Sequence, residues 1–168
     1  MRMDPCIIYI MGVSGSGKTT IGKKLSEKTK IPFFDGDDFH SPANKEKMHA
    51  GIPLTDEDRA GWLKKINDFV KEQSKKAGAI IGCSALKEKY RIELSEGITV
   101  PLYWIFLQGS YDLIKKRMEE RKGHFMPPEL LKSQFNTLEV PKDALVMDIA
   151  KDPGEIVNSI IEAIKNRS

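Results

Sequence analysis

Gly12-Val13-Ser14-Gly15-Ser16-Gly17-Lys18-Thr19 follows the apolar run Cys6-Ile7-Ile8-Tyr9-Ile10-Met11 and leads into a helical pattern that opens at Lys18. The eight residues satisfy GxxxxGK[ST], a strand–loop–helix motif whose glycines let successive backbone N–H groups turn toward one phosphate chain. Lys18 is placed to reach the outer phosphates, and the Thr19 hydroxyl to ligate Mg²⁺. A plain Gly/Ser turn would need neither the strand before it nor the helix after it. Gly12 to Thr20 is therefore assigned to a nucleoside triphosphate.

Outward from this loop, strand-like apolar runs recur at Ile31–Phe34, Ala79–Cys83, Leu102–Leu107 and Ala144–Ile149, with helical patterns between them. That alternation predicts an α/β fold with a parallel sheet covered on both faces. Thr55 opens a capping pattern over Asp56-Glu57-Asp58, carboxylates suited to the positive end of a helix. The helix that follows puts Trp62, Ile66, Phe69 and Val70 on one face and stops at Lys76-Ala77-Gly78. Its apolar stripe reads as core rather than as a binding surface. Ile156, Ile160 and Ile164 mark a last helix over 153–165 that packs on the sheet.

The 168 residues suit one domain, with no repeats, low-complexity tracts or linkers. The net charge of +3 comes from interspersed acidic and basic residues, which favours an anionic small substrate over nucleic acid or a membrane surface. No apolar run approaches the ~20 residues of a membrane span. Met1-Arg2-Met3-Asp4-Pro5 shows no signal-peptide pattern, so a cytoplasmic location is expected. Cys6 and Cys83 fall at opposite ends of their strands. On parallel neighbours they would lie ~16 Å apart, beyond disulfide reach, so two reduced thiols are expected.

Ligands of open α/β sheets lie beyond the carboxyl ends of the strands. The second strand ends in Asp35-Gly36-Asp37-Asp38-Phe39-His40. Phosphoryl transfer to a hydroxyl needs a carboxylate that orients the hydroxyl and takes its proton. Asp37 is read as that base and substrate ligand, and Asp35 as support for the water shell of Mg²⁺. An Asp/Gly turn that only caps the next helix is the competing reading. After the third strand, Ser84 stands where many phosphate-loop proteins carry an acidic metal-supporting residue. Lys87 and Arg91, four apart, either hold a carboxylate jointly from one helix face or form a solvated basic face. Arg117 and Arg121 repeat the spacing ahead of Lys122-Gly123-His124-Phe125-Met126-Pro127-Pro128, where glycine and prolines end the helix. Arginines there would close over the triphosphate as a lid. His40, His49 and His124 are not spaced as a metal site.

Taken together, these blocks resemble the gluconokinases of the small phosphate-loop type, which are related to shikimate and adenylate kinases. The resemblance is carried by Gly12–Thr19, by Asp35–His40 with Pro42 and Asn44, and by Lys47-Met48, Gly51–Asp56, Asp58-Arg59 and Trp62-Leu63. It continues in Cys83–Lys87 with Tyr90-Arg91, in His124–Pro127, and in Ser133-Gln134-Phe135 with Leu138-Glu139. It implies transfer of phosphate from ATP to the 6-hydroxyl of D-gluconate with Mg²⁺, and a homodimer. It also implies a five-stranded parallel sheet in the order 2-3-1-4-5, with a substrate-binding helical region at about 36–77 and a lid at about 117–136. Asp37 matches the substrate-binding acid of the wider kinase group, and Arg117 and Arg121 match its lid arginines. Arg59 and Arg91 become candidates for the sugar-acid carboxylate, and His40, Lys87 and His124 for hydroxyls or phosphate. Ala60-Gly61 departs from the proline usual before the tryptophan, and Glu88 and Ile92 from the usual basic and acidic residues.

Two other readings stay open at this stage. One is a kinase of another small acid or nucleotide, such as shikimate; Cys83–Arg91 lacks the glycine-rich strand end expected there. The other is a non-enzymatic nucleotide-binding module, which would have no use for Asp37 and the paired arginines.

Overall fold

The computed structural model describes residues 3–121 and 128–167, so His124 lies outside the described residues. Strands β1 (Ile7–Met11) and β3 (Ala79–Gly82) are buried along their whole length, as continuous apolar runs are when a sheet is covered on both faces. With β2 (Phe33–Asp35), β4 (Leu102–Gln108) and β5 (Leu145–Asp148) they form one sheet in the order β2-β3-β1-β4-β5, every pair parallel. This is the order implied by the resemblance.

The strand limits differ slightly from those read in the sequence. β2 starts only at Phe33, because Ile31 gives its N–H to Thr29 Oγ1 at 3.3 Å and Pro32 has none to give. Pairing of Ile7 with Ala79 sets Cys6 and Cys83 at opposite ends of neighbouring strands, and both thiols are free.

Alternate residues of β1 feed two cores, because successive strand side chains point to opposite faces. Ile8 and Ile10 pack with Ile21 and Leu25 of α1 (Lys18–Thr29) and with Ile156 and Ile160 of α7 (Pro153–Arg167). Ile7, Tyr9 and Met11 pack with Trp62, Ile66 and Val70 of α3 (Asp56–Ser74) and with Leu94 of α4 (Glu88–Ser95). Tyr9 is fully buried, so its hydroxyl needs a partner; it donates to Leu94 O at 2.8 Å while the ring stacks on Trp104 at 4.4 Å. The remaining helices are α2 (Pro42–His49), α5 (Tyr111–Glu120) and α6 (Pro128–Thr137). No helix among the described residues is long and apolar enough to cross a membrane.

β1 lies between β3 and β4, and the strand order reverses there, with β2 and β3 to one side of β1 and β4 and β5 to the other. The crevice at such a switch point opens beyond the carboxyl end of the central strand. The Gly-rich loop, between Met11 and Lys18, occupies that place.

Candidate active site

Helix α1 starts without a side-chain cap. Gly17, the residue before it, adopts φ 100° and ψ 19°, a left-handed conformation that favours glycine. The first turn holds no acidic residue, whereas Ser41, Thr55 and Ser110 cap α2, α3 and α5 with their hydroxyls. The positive end of α1 is thereby left for an anion. Lys18 Nζ donates to Gly12 O and Val13 O, both at 3.0 Å. Burial holds its pKa below the usual lysine value, against the pull of Asp37, Cys83 and Asp35; phosphate charge would favour the ammonium form. Val13 turns its side chain into the core and gives the site only backbone. Ser16 Oγ is buried with no hydrogen-bond partner among the described residues.

Around the loop lies a cavity of about 240 Å³, lined by Ser14, Gly15, Gly17, Lys18 and Thr19 on one side and by Asp35, Asp37 and Arg121 on the other. A larger cavity of about 510 Å³ is lined by His40, Arg59, Trp62, Ser84, Lys87 and Gln134. Both cavities include Ser14, Lys18 and Asp37 in their walls. A third cleft of about 160 Å³ runs along the far side of the loop, where Ser16 and Thr20 meet Arg117 and Arg121.

Asp37 reaches this junction through a tight turn. Asp35 Oδ1 accepts from the Asp37 N–H at 2.9 Å and starts a 3₁₀ turn over Gly36–Phe39. A Cβ on Gly36 would come 2.6 Å from Gly82 O, so only glycine lets the turn lie against the end of β3. Trp62 Nε1 donates to Gly36 O at 2.7 Å and pins the turn to α3. Asp35 thus caps the turn and also lines the phosphate cavity. The pKa of Asp37 is raised by burial and then by the neighbouring Asp35 charge, with Lys18 pulling the other way.

In the larger cavity the His40 ring stacks on Trp62 at 4.2 Å and 11°. Burial, with Arg59 and Lys45 nearby, brings its pKa down to about 4, so the ring is neutral. Arg59 Nη1 donates to Leu54 O at 2.7 Å and to Tyr90 Oη at 3.2 Å, and the guanidinium lies over the Tyr90 ring at 5.2 Å. An open helix end suited to phosphate, a carboxylate at the junction and a chamber beyond it that carries His40, Arg59 and Lys87 are the parts required to phosphorylate a hydroxyl.

The sequence matches the shikimate kinase family model over residues 14–165. It is 42% identical to the thermoresistant gluconokinase of Escherichia coli over 96% of this chain and 95% of that one. It is 46% identical to the gluconokinase of Gluconobacter oxydans over 85% of this chain and 80% of that one. Among solved structures, a gluconokinase from Sinorhizobium meliloti is similar with a TM-score of 0.84 and 38% identity, covering 98% of both chains. The chain belongs to the gluconokinase family. It is an ATP-dependent kinase of the phosphate-loop fold.

Within this gluconokinase-family site, three expectations need correction. Arg91 does not face the larger cavity: it is buried, and its guanidinium donates to Ala85 O at 2.7 Å and Glu139 O at 2.8 Å. Its charge ties down two main-chain carbonyls, so it is not placed for a substrate carboxylate. Lys87 and Arg91 do not share a helix face, because Lys87 is the extended residue before α4; Lys87 lines the cavity, 3.5 Å from Asp56. Arg117 and Arg121 are likewise not one helical pair. α5 ends at Glu120 and Arg121 is extended, while Arg117 Nη2 donates to Ile149 O at 2.7 Å. Both arginines still border the cleft beside the loop.

Other residues gain roles that the sequence reading lacked. Trp62, read as core, is both buried and part of the cavity wall. Ser84 lines the larger cavity rather than the phosphate cavity. Gln134 of α6 accepts from the Ser14 N–H through Oε1 at 2.7 Å and donates to Ser14 Oγ through Nε2 at 3.1 Å. It ties α6 to the phosphate loop, and no local pattern marks it for that task. Among the described residues, no group of three or more His, Cys, Asp or Glu side chains is placed to hold a metal.

Proposed function

We propose that this chain transfers the γ-phosphoryl group of ATP to the 6-hydroxyl of D-gluconate, giving 6-phospho-D-gluconate and ADP. The observation that carries the reading is the junction of the two cavities at Lys18 and Asp37, in a member of the gluconokinase family. The triphosphate lies along Gly12–Thr20, with Arg117 and Arg121 beside it. The sugar acid lies in the larger chamber, where Arg59 is the cation for its carboxylate and His40 and Lys87 meet its oxygens. In the transfer, the 6-oxygen bonds to the γ-phosphorus, the bond from that phosphorus to the β–γ bridging oxygen breaks, and the hydroxyl proton passes to Asp37. Burial raises the pKa of Asp37 and makes it a stronger base than an exposed aspartate. Lys18 steadies the charge on the phosphate oxygens.

Mg²⁺ belongs to this reading. Thr19 and Asp35 line the phosphate cavity and are the oxygen partners that would hold it, directly or through water. The sparse set of side-chain donors suits an ion held largely by phosphates. When bound, it supplies positive charge that offsets the charge on the triphosphate. Residues 36–77 form the acceptor wall and 117–136 the lid, in a cytoplasmic homodimer whose mass light scattering would check.

The deciding experiment measures ADP release with gluconate, shikimate, nucleoside monophosphates and glucose, and locates the new phosphate by NMR. Gluconate should be the best acceptor, because a chamber of hydrogen-bonding groups rejects analogues that leave them unpaired. Faster turnover of another member of the panel, or phosphate away from C6, would overturn the assignment.

A further inference from the structure

Asn44 lines neither cavity, yet it determines the chemical state of a residue that does. Its side-chain nitrogen lies 2.8 Å from the Asp58 main-chain oxygen and 3.2 Å from His40 Nδ1. A main-chain oxygen only accepts, so the atom facing it is the amide nitrogen with its two N–H groups. The second N–H then meets Nδ1, which must present a lone pair. A neutral ring with a lone pair on Nδ1 carries its proton on Nε2.

Every partner in this chain of contacts is held. Asn44 and His40 are 6% and 7% exposed, and stacking on Trp62 fixes the plane of the ring. The Asp58 carbonyl belongs to the first turn of α3, where the Thr55–Asp58 capping box fixes the backbone. The charges that bear on the ring come from Arg59 of α3 and Lys45 of α2, both of which disfavour an imidazolium. The Asp58 carboxylate is engaged by the Thr55 N–H and Lys47. His40 Nε2 makes no hydrogen bond to any described residue, and the ring borders the acceptor cavity.

We propose that Asn44 is a positioning residue: by donating to Nδ1 it holds His40 as the Nε2–H tautomer, so that His40 offers a fixed donor to an oxygen of the sugar acid. This rests on the gluconate reading of the cavity. The consequence is a division of labour between two neighbouring groups. Asp37, a carboxylate, takes the proton of the reacting hydroxyl. His40, with no lone pair on Nε2, cannot compete for that proton and instead satisfies a lone pair of the substrate.

Spectroscopy and kinetics test the two halves separately. In ¹⁵N-labelled full-length protein at pH 7, long-range ¹H–¹⁵N correlation should show His40 neutral and protonated at Nε2, with His40→Gln assigning the signals. A ring protonated at Nδ1, or at both nitrogens, overturns the lock. Asn44→Asp sets a carboxylate against Nδ1, so the same spectra should show His40 protonated there. As the neutral Nδ1–H tautomer, its bare Nε2 should raise KM for gluconate by about tenfold, with KM for ATP unchanged. As an imidazolium, it keeps the Nε2–H donor and leaves the decision to the two His40 variants. Wild-type KM in a folded variant whose ring is the neutral Nδ1–H tautomer would overturn the donor role. If the variant does not fold by circular dichroism, the His40 pair decides. His40→Gln keeps an amide donor and should bind gluconate with a lower KM than His40→Ala, which should raise it by about tenfold. Equal KM values in those two variants overturn the donor role. Wild-type protein that shows the Nε2–H ring but leaves gluconate untouched defeats the substrate reading, and the donor role with it, while the lock itself stands.

Discussion

Helices α1 and α3 both begin at the wall of a cavity, and their first turns are chemical opposites. α1 follows a left-handed glycine and has no cap hydroxyl and no acidic residue in its first turn. α3 has Thr55 accepting from the Asp58 N–H at 3.1 Å and the Asp58 carboxylate accepting from the Thr55 N–H at 2.9 Å, with Asp56 and Glu57 alongside. The first turn of any helix leaves N–H groups without intrahelical partners. α3 answers that need with its own side chains and is a finished structural element. α1 leaves the need open, and a phosphate chain is the group that answers it. An unfilled helix end beside a lysine marks a binding site, whereas a filled one marks a support.

The largest effect should come from removing the cation of the open end. Lys18→Ala should lower kcat by ~10² or more while circular dichroism shows an intact fold, because among the described residues Lys18 Nζ bonds only the loop carbonyls of Gly12 and Val13. Wild-type turnover in a folded variant would remove α1 from the chemistry.

Asp37→Asn is next, with an expected fall in kcat of ~10² and ATP affinity nearly unchanged. In wild type the raised pKa of Asp37 places the acidic limb of kcat/KM above the ordinary carboxylate range, with activity lost as pH falls through it. That limb should be absent from the variant. Loss of ATP binding with kcat preserved would exchange the roles of Asp35 and Asp37.

A third variant makes α1 resemble α3. No atom lies within 4 Å of a Cβ built on Gly17, so Gly17→Asp puts a carboxylate at the open end and costs only the backbone strain of a side chain at φ 100°, which Gly17→Asn shares. ATP affinity should drop by at least ~10-fold relative to Gly17→Asn, which imposes the same shape without the charge. Equal affinities in isothermal titration would show that the open end does not select for anions.

The smallest effect is at the closed end. Thr55→Ala should cost ~1 kcal/mol of stability in chemical denaturation and leave kcat unchanged. The Thr55 N–H and Lys47 hold the Asp58 pKa down to about 2, from an ordinary value of 3.8. The stabilisation from Asp58 is therefore complete above the ordinary value and lost as pH falls from there through about 2. A thermal melt series should show that acid loss in wild type and a smaller one in Asp58→Asn.

What the sequence by itself determined is local. The phosphate loop, the five strands and the Thr55 cap each depend on residues within a turn or a strand of one another, so spacing alone carries them. Asp35 and Asp37 were legible for the same reason, since a break at Gly36 must turn them together beyond a strand end. Tertiary structure decided the partners. Arg91 stands four residues from Lys87 in a pattern that suits a shared helix face, but Glu139 O, 48 residues away, takes its guanidinium into the wall instead. Gln134 meets Ser14 across 120 residues, and Asn44 joins His40 to the backbone of Asp58 from another helix. Such pairings follow from how the helices stack on the sheet. A buried polar group takes whichever partner that stacking brings within reach, and no periodicity in the chain encodes the choice.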